Sequence, residues 1–163
     1  MQPWQDPEID NIRDRYAEFA RAELAGEWRE RDKEGEFSLE RWRKAADFGV
    51  LGLCMPEQFG GQDCPVTHMV AAYEGLGIGC RDTGFFFAML NQHAGIQMAL
   101  RLIASEALQA KYLPDLILGK TLAAYCFTEE VGGSDAFMME TTAVKEGDGY
   151  RINGRKRYIT NSP

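Results

Sequence analysis

The chain has no Cys-x-x-Cys pair, only two histidines, and no excess of basic residues. Its four cysteines (Cys54, Cys64, Cys80 and Cys126) are scattered, and only His68 and His93 could join them around a metal, so spacing assembles no ligand set. They read as reduced thiols of a cytoplasmic protein. A formal net charge of −7 excludes general binding to nucleic acid or to anionic membranes, because either partner needs a sustained basic surface. The start, Met1-Gln2-Pro3-Trp4-Gln5-Asp6, lacks a basic segment followed by an apolar run, so no secretory signal is expected. A long uninterrupted apolar run is missing too. Residues 83–104 are the most apolar segment, but Asn91, Gln92, His93, Gln97 and Arg101 break it below the ~20 residues of a membrane span. A helix buried in a bundle is expected there instead.

What is present is enough for a real core: a compact fold of 163 residues buries roughly 70% of its unfolded surface. Asp6-Pro7 can open a helix that places Ile9, Ile12, Tyr16 and Phe19 on one face. Residues 27–36 are nearly all charged and read as solvated surface. Ser38 is a natural N-cap for a helix over residues 39–48, with Phe37 stapled onto Trp42 and Gly49 as the stop. Further helices are expected from Pro65 to Gly75, through residues 83–104, and from Ser105 to Gly119, where Pro114 should bend the last one or end it early.

The pattern changes at Thr121. Residues 122–128 read as an apolar strand, residues 141–145 alternate, Glu146-Gly147-Asp148-Gly149 is a turn, and residues 150–152 pair back. Asn153-Gly154 signals a second hairpin before a strand over residues 155–160. The expected fold class is α+β: an N-terminal all-α bundle, residues 1–120, followed by an incomplete antiparallel β-domain, residues 121–163.

Several residues of the second part could carry chemistry. Thr128 and Thr160 stand at strand ends, where hydroxyls can meet the edge of a planar heterocycle, although a threonine so placed is, taken alone, more often an ordinary strand threonine. Gly132-Gly133-Ser134-Asp135 can form a turn whose N–H groups and hydroxyl hold a phosphate; such turns without phosphate are commoner. Tyr158 and Tyr125 could flank a ring or fill a sheet face. Met138 and Met139 read as core, His93 as a satisfied core histidine, and Glu129 and Glu130 as solvated turn carboxylates rather than an acid/base pair.

The order and types of these residues resemble the acyl-CoA dehydrogenase family. Its first signature runs approximately C-x-T-E-x-x-x-G-S-D and its second N-G-x-K-x-[WY]-I-T-N. Here they stand as Cys126-Phe127-Thr128-Glu129-Glu130-Val131-Gly132-Gly133-Ser134-Asp135 and Asn153-Gly154-Arg155-Lys156-Arg157-Tyr158-Ile159-Thr160-Asn161. Pro56-Glu57-Gln58-Phe59-Gly60-Gly61 is similar to the family's P-E-x-x-G-G loop, and Lys111-Tyr112-Leu113-Pro114 with Leu118-Gly119 also fits. The resemblance covers essentially the whole chain.

It implies α,β-dehydrogenation of an acyl thioester, with a carboxylate base taking the α-proton while the β-hydrogen leaves as hydride to FAD. Carried over by position, Tyr125, Phe127, Thr128, Gly133, Ser134, Tyr158, Ile159 and Thr160 would bind the cofactor. Thr128 would face the pyrimidine edge, Thr160 N5, Tyr158 the ring and Ser134 the pyrophosphate. Tyr125 and Ser134 would also touch the substrate, a thioester of coenzyme A or of an acyl-carrier protein. The chain departs from the family at Glu130, where proline is common, and at Tyr158, where tryptophan is. The family's catalytic base would lie beyond Pro163, so none is assigned here, and the chain alone is expected to be inactive. A homo-oligomer (tetramer), or a partner chain supplying the C-terminal domain, is implied, with electron-transfer flavoprotein as a possible acceptor. An oxidase-like flavoenzyme, a subunit of a split enzyme, and a non-catalytic binding or assembly module with the same fold remain alternatives.

Overall fold

The computed structural model describes residues 6–162; the segment read above for a leader, residues 1–5, lies outside the described residues. The chain divides between Ala123 and Ala124 into a helical unit and a smaller second unit.

The helical unit opens as its sequence dictates. The Asp6 carboxylate caps α1 (Pro7–Phe19) by accepting from Glu8 N–H at 2.9 Å, and Pro7 occupies the first turn, where its missing N–H is not needed. A π-turn, Ala20–Leu24, extends α1. Then comes α2 (Trp28–Glu34), in the charge-rich segment read as solvated surface. Most of α2 is exposed, but Arg31 is 5% exposed: it donates to the Gly26 carbonyl and pairs with Asp82 at 3.0 Å. One residue of that charge run is therefore structural. Ser38 caps α3 (Leu39–Asp47) through Arg41 N–H, and the Phe37 and Trp42 rings lie 5.8 Å apart, as the staple requires.

Helix α4 (Val66–Gly79) packs along α1 at short range. Glycine is needed there: a Cβ on Gly75 would collide with the Arg13 carbonyl, and one on Gly79 would come within 2.6 Å of Ala20 Cβ. The apolar segment forms α5 (Thr83–Leu90), a π-turn (Asn91–Gln97) and α6 (Met98–Ile103). Among the described residues, no helix is long and apolar enough to cross a membrane. Helix α7 (Glu106–Ile117) continues through Pro114 rather than ending at it. The proline removes one N–H donor, while Leu118 N–H closes on its carbonyl at 3.1 Å and buried Leu113, Leu116 and Ile117 hold the last turn in the core.

The core gathers Tyr16, Leu24, Trp42, Leu51, Leu76, Phe85 and Met89. Trp42 is fully buried, and its indole N–H donates to the Gly119 carbonyl at 3.1 Å. Polar side chains of the π-turn also point inward. Gln92 donates to Leu116 and Thr121 carbonyls and accepts from Ala123 N–H, and Gln97 donates to the Leu51 carbonyl. His93 is buried with Nδ1 3.4 Å from the Tyr73 hydroxyl.

In the second unit, β1 (Thr142–Glu146) pairs antiparallel with β2 (Gly149–Asn153), from Thr142 opposite Asn153 to Glu146 opposite Gly149. This is the expected hairpin. The expected strands over residues 122–128 and 155–160 are not ladder strands among the described residues, and Asn153-Gly154 leads out of β2 without a second hairpin. Apolar, β-prone composition marks these segments as extended; a ladder also needs a partner edge, and this sheet has only two strands.

Candidate functional site

The two motifs meet in the second unit through Lys156. Its ammonium donates to the Phe127 carbonyl at 3.1 Å and to Glu129 Oε1 at 2.7 Å, the residues on either side of Thr128. The Thr128 carbonyl in turn accepts from Arg157 N–H at 2.8 Å. Residues 127–129 are thereby stitched to residues 156–157 without a ladder.

Beyond Thr128 the chain turns tightly. Glu129 and Gly132 exchange backbone hydrogen bonds of 3.0 and 3.3 Å, which folds Gly133 back over Thr128. A Cβ on Gly133 would sit 3.0 Å from Thr128 Oγ1 and 3.1 Å from its Cγ2, so glycine lets the turn lie against the threonine side chain. Ser134 follows on the exposed side of the turn.

Glu129 corrects the reading of a solvated turn carboxylate. It is 5% exposed and accepts from Lys156, from the Thr141 hydroxyl, and from the N–H groups of Glu140 (2.6 Å) and Thr141 (3.1 Å). The Lys156 bond, then the Thr141 hydroxyl and the Glu140 N–H, hold its carboxyl down to about 2. A group so saturated is fixed as an anion and has no proton to offer near neutrality. Glu130 does face solvent, pairing with Arg157 at 3.1 Å. Met138 and Met139, read as core, are exposed in this unit, and Phe137 beside them is 99% exposed.

The remaining candidates fall around this junction. The Tyr125 and Phe127 rings stack with centroids 5.7 Å apart and planes within 9°. Ile159 and Thr160 are half-buried three and four residues after Lys156. Tyr158 takes a left-handed backbone (φ 56°) and leaves its ring 87% exposed, and Asn161 is left-handed as well (φ 65°). The structure thus brings Phe127, Thr128 and Gly133 into one cluster with the strand-free segment that leads to Tyr158, Ile159 and Thr160. The Glu129–Lys156 pair is the part sequence reasoning passed over. Its signal was present, since both residues are fixed letters of the two motifs.

A helical unit is followed by a smaller unit in which the two hydroxyl-bearing motifs are joined. Residues 6–120 match the model of the acyl-CoA dehydrogenase N-terminal domain, and residues 124–163 match that of the middle domain. The chain belongs to the acyl-CoA dehydrogenase family. It is 37% identical over 126 residues to an L-prolyl-[peptidyl-carrier protein] dehydrogenase of Serratia sp., covering 77% of this chain and 33% of that protein. Among solved structures, the prolyl acyl carrier protein oxidase AnaB superposes with a TM-score of 0.89 at 36% identity, covering 94% of this chain and 41% of that one. PigA with FAD and proline gives 0.91 at 31% identity, covering 98% and 42%. The chain therefore spans between a third and somewhat over two fifths of the length of these relatives.

Proposed function

We propose that the full-length protein is an FAD-dependent dehydrogenase of an acyl thioester. The observation that carries this reading is the Arg157 N–H to Thr128 carbonyl bond, which joins the two motif segments whose hydroxyls, Thr128 and Thr160, would serve one planar ring. The site's chemistry fits a flavin. Thr128 and Thr160 are half-buried residues with hydroxyls, Gly133 leaves room beside Thr128, and Ser134 is an exposed residue at a tight turn of a kind suited to a phosphate.

In this reading Thr128, Gly133, Ser134, Tyr158, Ile159 and Thr160 hold the cofactor, with backbone from Tyr125 and Phe127. FAD, when bound, supplies the two-electron acceptor for a hydrogen that leaves as hydride. The chain's own residues bind and orient. The flat Tyr125–Phe127 stack offers apolar surface, and the exposed Tyr158 ring offers a face for stacking. Tyr125 and Ser134 also border the thioester.

The names of the Serratia relative and of AnaB support a carrier-bound acyl thioester, prolyl among them, as the substrate class. A homo-oligomer that passes electrons to an electron-transfer flavoprotein or to dioxygen completes the proposal. The free thiols of Cys54, Cys64, Cys80 and Cys126 support a reducing compartment such as the cytoplasm. The test is anaerobic addition of prolyl-carrier and acyl-CoA thioesters to the FAD-loaded full-length protein. Loss of the flavin's visible absorption with one of them is expected. An unbleached flavin with every thioester would leave a binding or assembly module.

A further inference from the structure

We propose that Lys156 and Glu129 are positioning residues, a charged clamp that sets Thr128 and Thr160 in the relative placement a flavin requires. The inference rests on the flavin reading above. Among the described residues neither threonine-bearing segment belongs to a ladder; one backbone hydrogen bond, from Arg157 N–H to the Thr128 carbonyl, joins them. A side-chain contact adds to that bond in holding Thr128 against the chain that leads to Thr160.

Lys156 does this from both neighbours of Thr128 at once, through the Phe127 carbonyl and the Glu129 carboxylate. A three-donor ammonium on a flexible stem suits such a point junction. Glu129 is itself anchored to the two residues just before β1 by Glu140 N–H, Thr141 N–H and the Thr141 hydroxyl, so the clamp ties the first motif to the segment that leads into the sheet as well. Immediately beyond Lys156, Tyr158 adopts a left-handed backbone that non-glycine residues avoid. Such a conformation persists where the surroundings over-determine it, and the fixed Lys156-Arg157 pair supplies that constraint. The clamp thus fixes Thr128 directly and sets the direction from which the chain reaches Tyr158 and Thr160. Neither charged group needs to touch the cofactor.

The experiment uses the full-length protein and its variants Lys156→Met, Lys156→Arg and Glu129→Gln, and measures FAD affinity, the flavin absorption and circular dichroism bands, and the melting temperature of the apoprotein. Lys156→Met and Glu129→Gln are expected to raise the FAD Kd about ten-fold or more and to shift the flavin bands, with a lowered apoprotein melting temperature, most of all in Lys156→Met, where the buried Glu129 carboxylate loses its counter-charge. Lys156→Arg, which keeps the charge, is expected to recover most of the affinity. Wild-type affinity and bands in Lys156→Met and Glu129→Gln would overturn the proposal while leaving the flavin reading intact. So would a lower melting temperature with unchanged flavin affinity and bands, which marks a merely structural pair. Should Lys156→Met fail to fold, Glu129→Gln and Lys156→Arg decide: weakened binding in the first and recovery in the second support the clamp, and any other result overturns it. If the wild-type protein binds no FAD, the flavin reading itself fails and the clamp falls with it.

Discussion

Gln92, fully buried in the π-turn after α5, accepts a 2.8 Å hydrogen bond from the Ala123 N–H and donates to the carbonyls of Leu116 and Thr121. One side chain therefore holds the last turn of α7 and the segment that leaves the helical unit. Replacing it with leucine keeps the volume but strips three backbone groups of this partner. Because buried polar groups lose more when unpaired than a hydrogen bond gains, Gln92→Leu should destabilise the protein by about 2–3 kcal/mol in urea unfolding. A change under about 0.5 kcal/mol would show that the bridge contributes nothing net.

The α1–α4 contact makes a sharper steric prediction. Gly75→Ala drives a methyl into the Arg13 carbonyl and should cost about 2–3 kcal/mol. Gly77, on the same helix, has nothing within 4 Å of a new Cβ. There alanine should be neutral or stabilising by up to about 1 kcal/mol through helix propensity. Thermal melts of the two variants side by side separate packing from propensity.

These two cases show what sequence could and could not disclose. The caps at Asp6 and Ser38, the Phe37–Trp42 staple and the β1–β2 hairpin were legible because each depends on residues close in the chain. Arg31 was hidden in a run of charges, since its partner Asp82 is 51 positions away. Pro114 does not end α7 early, because tertiary burial of Leu113, Leu116 and Ile117 outweighs one missing donor. In the candidate site, the motif letters marked Thr128 and Thr160, while the role of Glu129 became visible only when folding placed Lys156 on it across 27 positions. The two unladdered segments were read as strands because composition reports extended backbone, not pairing.

His93 predicts a pH dependence. Burial holds its imidazole down to about 4, below the roughly 6.5 of an exposed histidine. Between those values the unfolded chain binds a proton that the folded chain does not, so stability falls as pH drops from about 6.5 toward about 4. At about 1.4 kcal/mol per unit, acidification to roughly pH 5 should remove about 2 kcal/mol. Glu129 does not blur this window: its carboxyl is depressed, so its contribution is complete above the ordinary carboxylate range and is lost only as pH falls toward about 2. Urea midpoints at roughly pH 7.5 and pH 5 should diverge in wild type and much less in His93→Gln. Equal divergence in both proteins would assign the slope to other groups.

Gly133 links the turn to the proposed cofactor site through Thr128. An alanine there places its methyl 3.0 Å from Thr128 Oγ1 and must push that hydroxyl aside. Gly133→Ala should weaken FAD binding by roughly three- to ten-fold, a shift of about 1 kcal/mol, with apoprotein stability little changed. Titration of apoprotein with FAD, followed by fluorescence quenching, measures it. Unchanged affinity would remove Thr128 from the flavin site.

The central claim is that the junction of Thr128 with the segment leading to Thr160 is a flavin cradle, and equilibrium binding of FAD to the full-length protein tests it most directly. One FAD per chain is predicted, with affinity that falls in Thr128→Val and falls further when Thr160→Val is added. Absence of FAD binding by the folded wild-type protein, or wild-type affinity in the double variant, would contradict it.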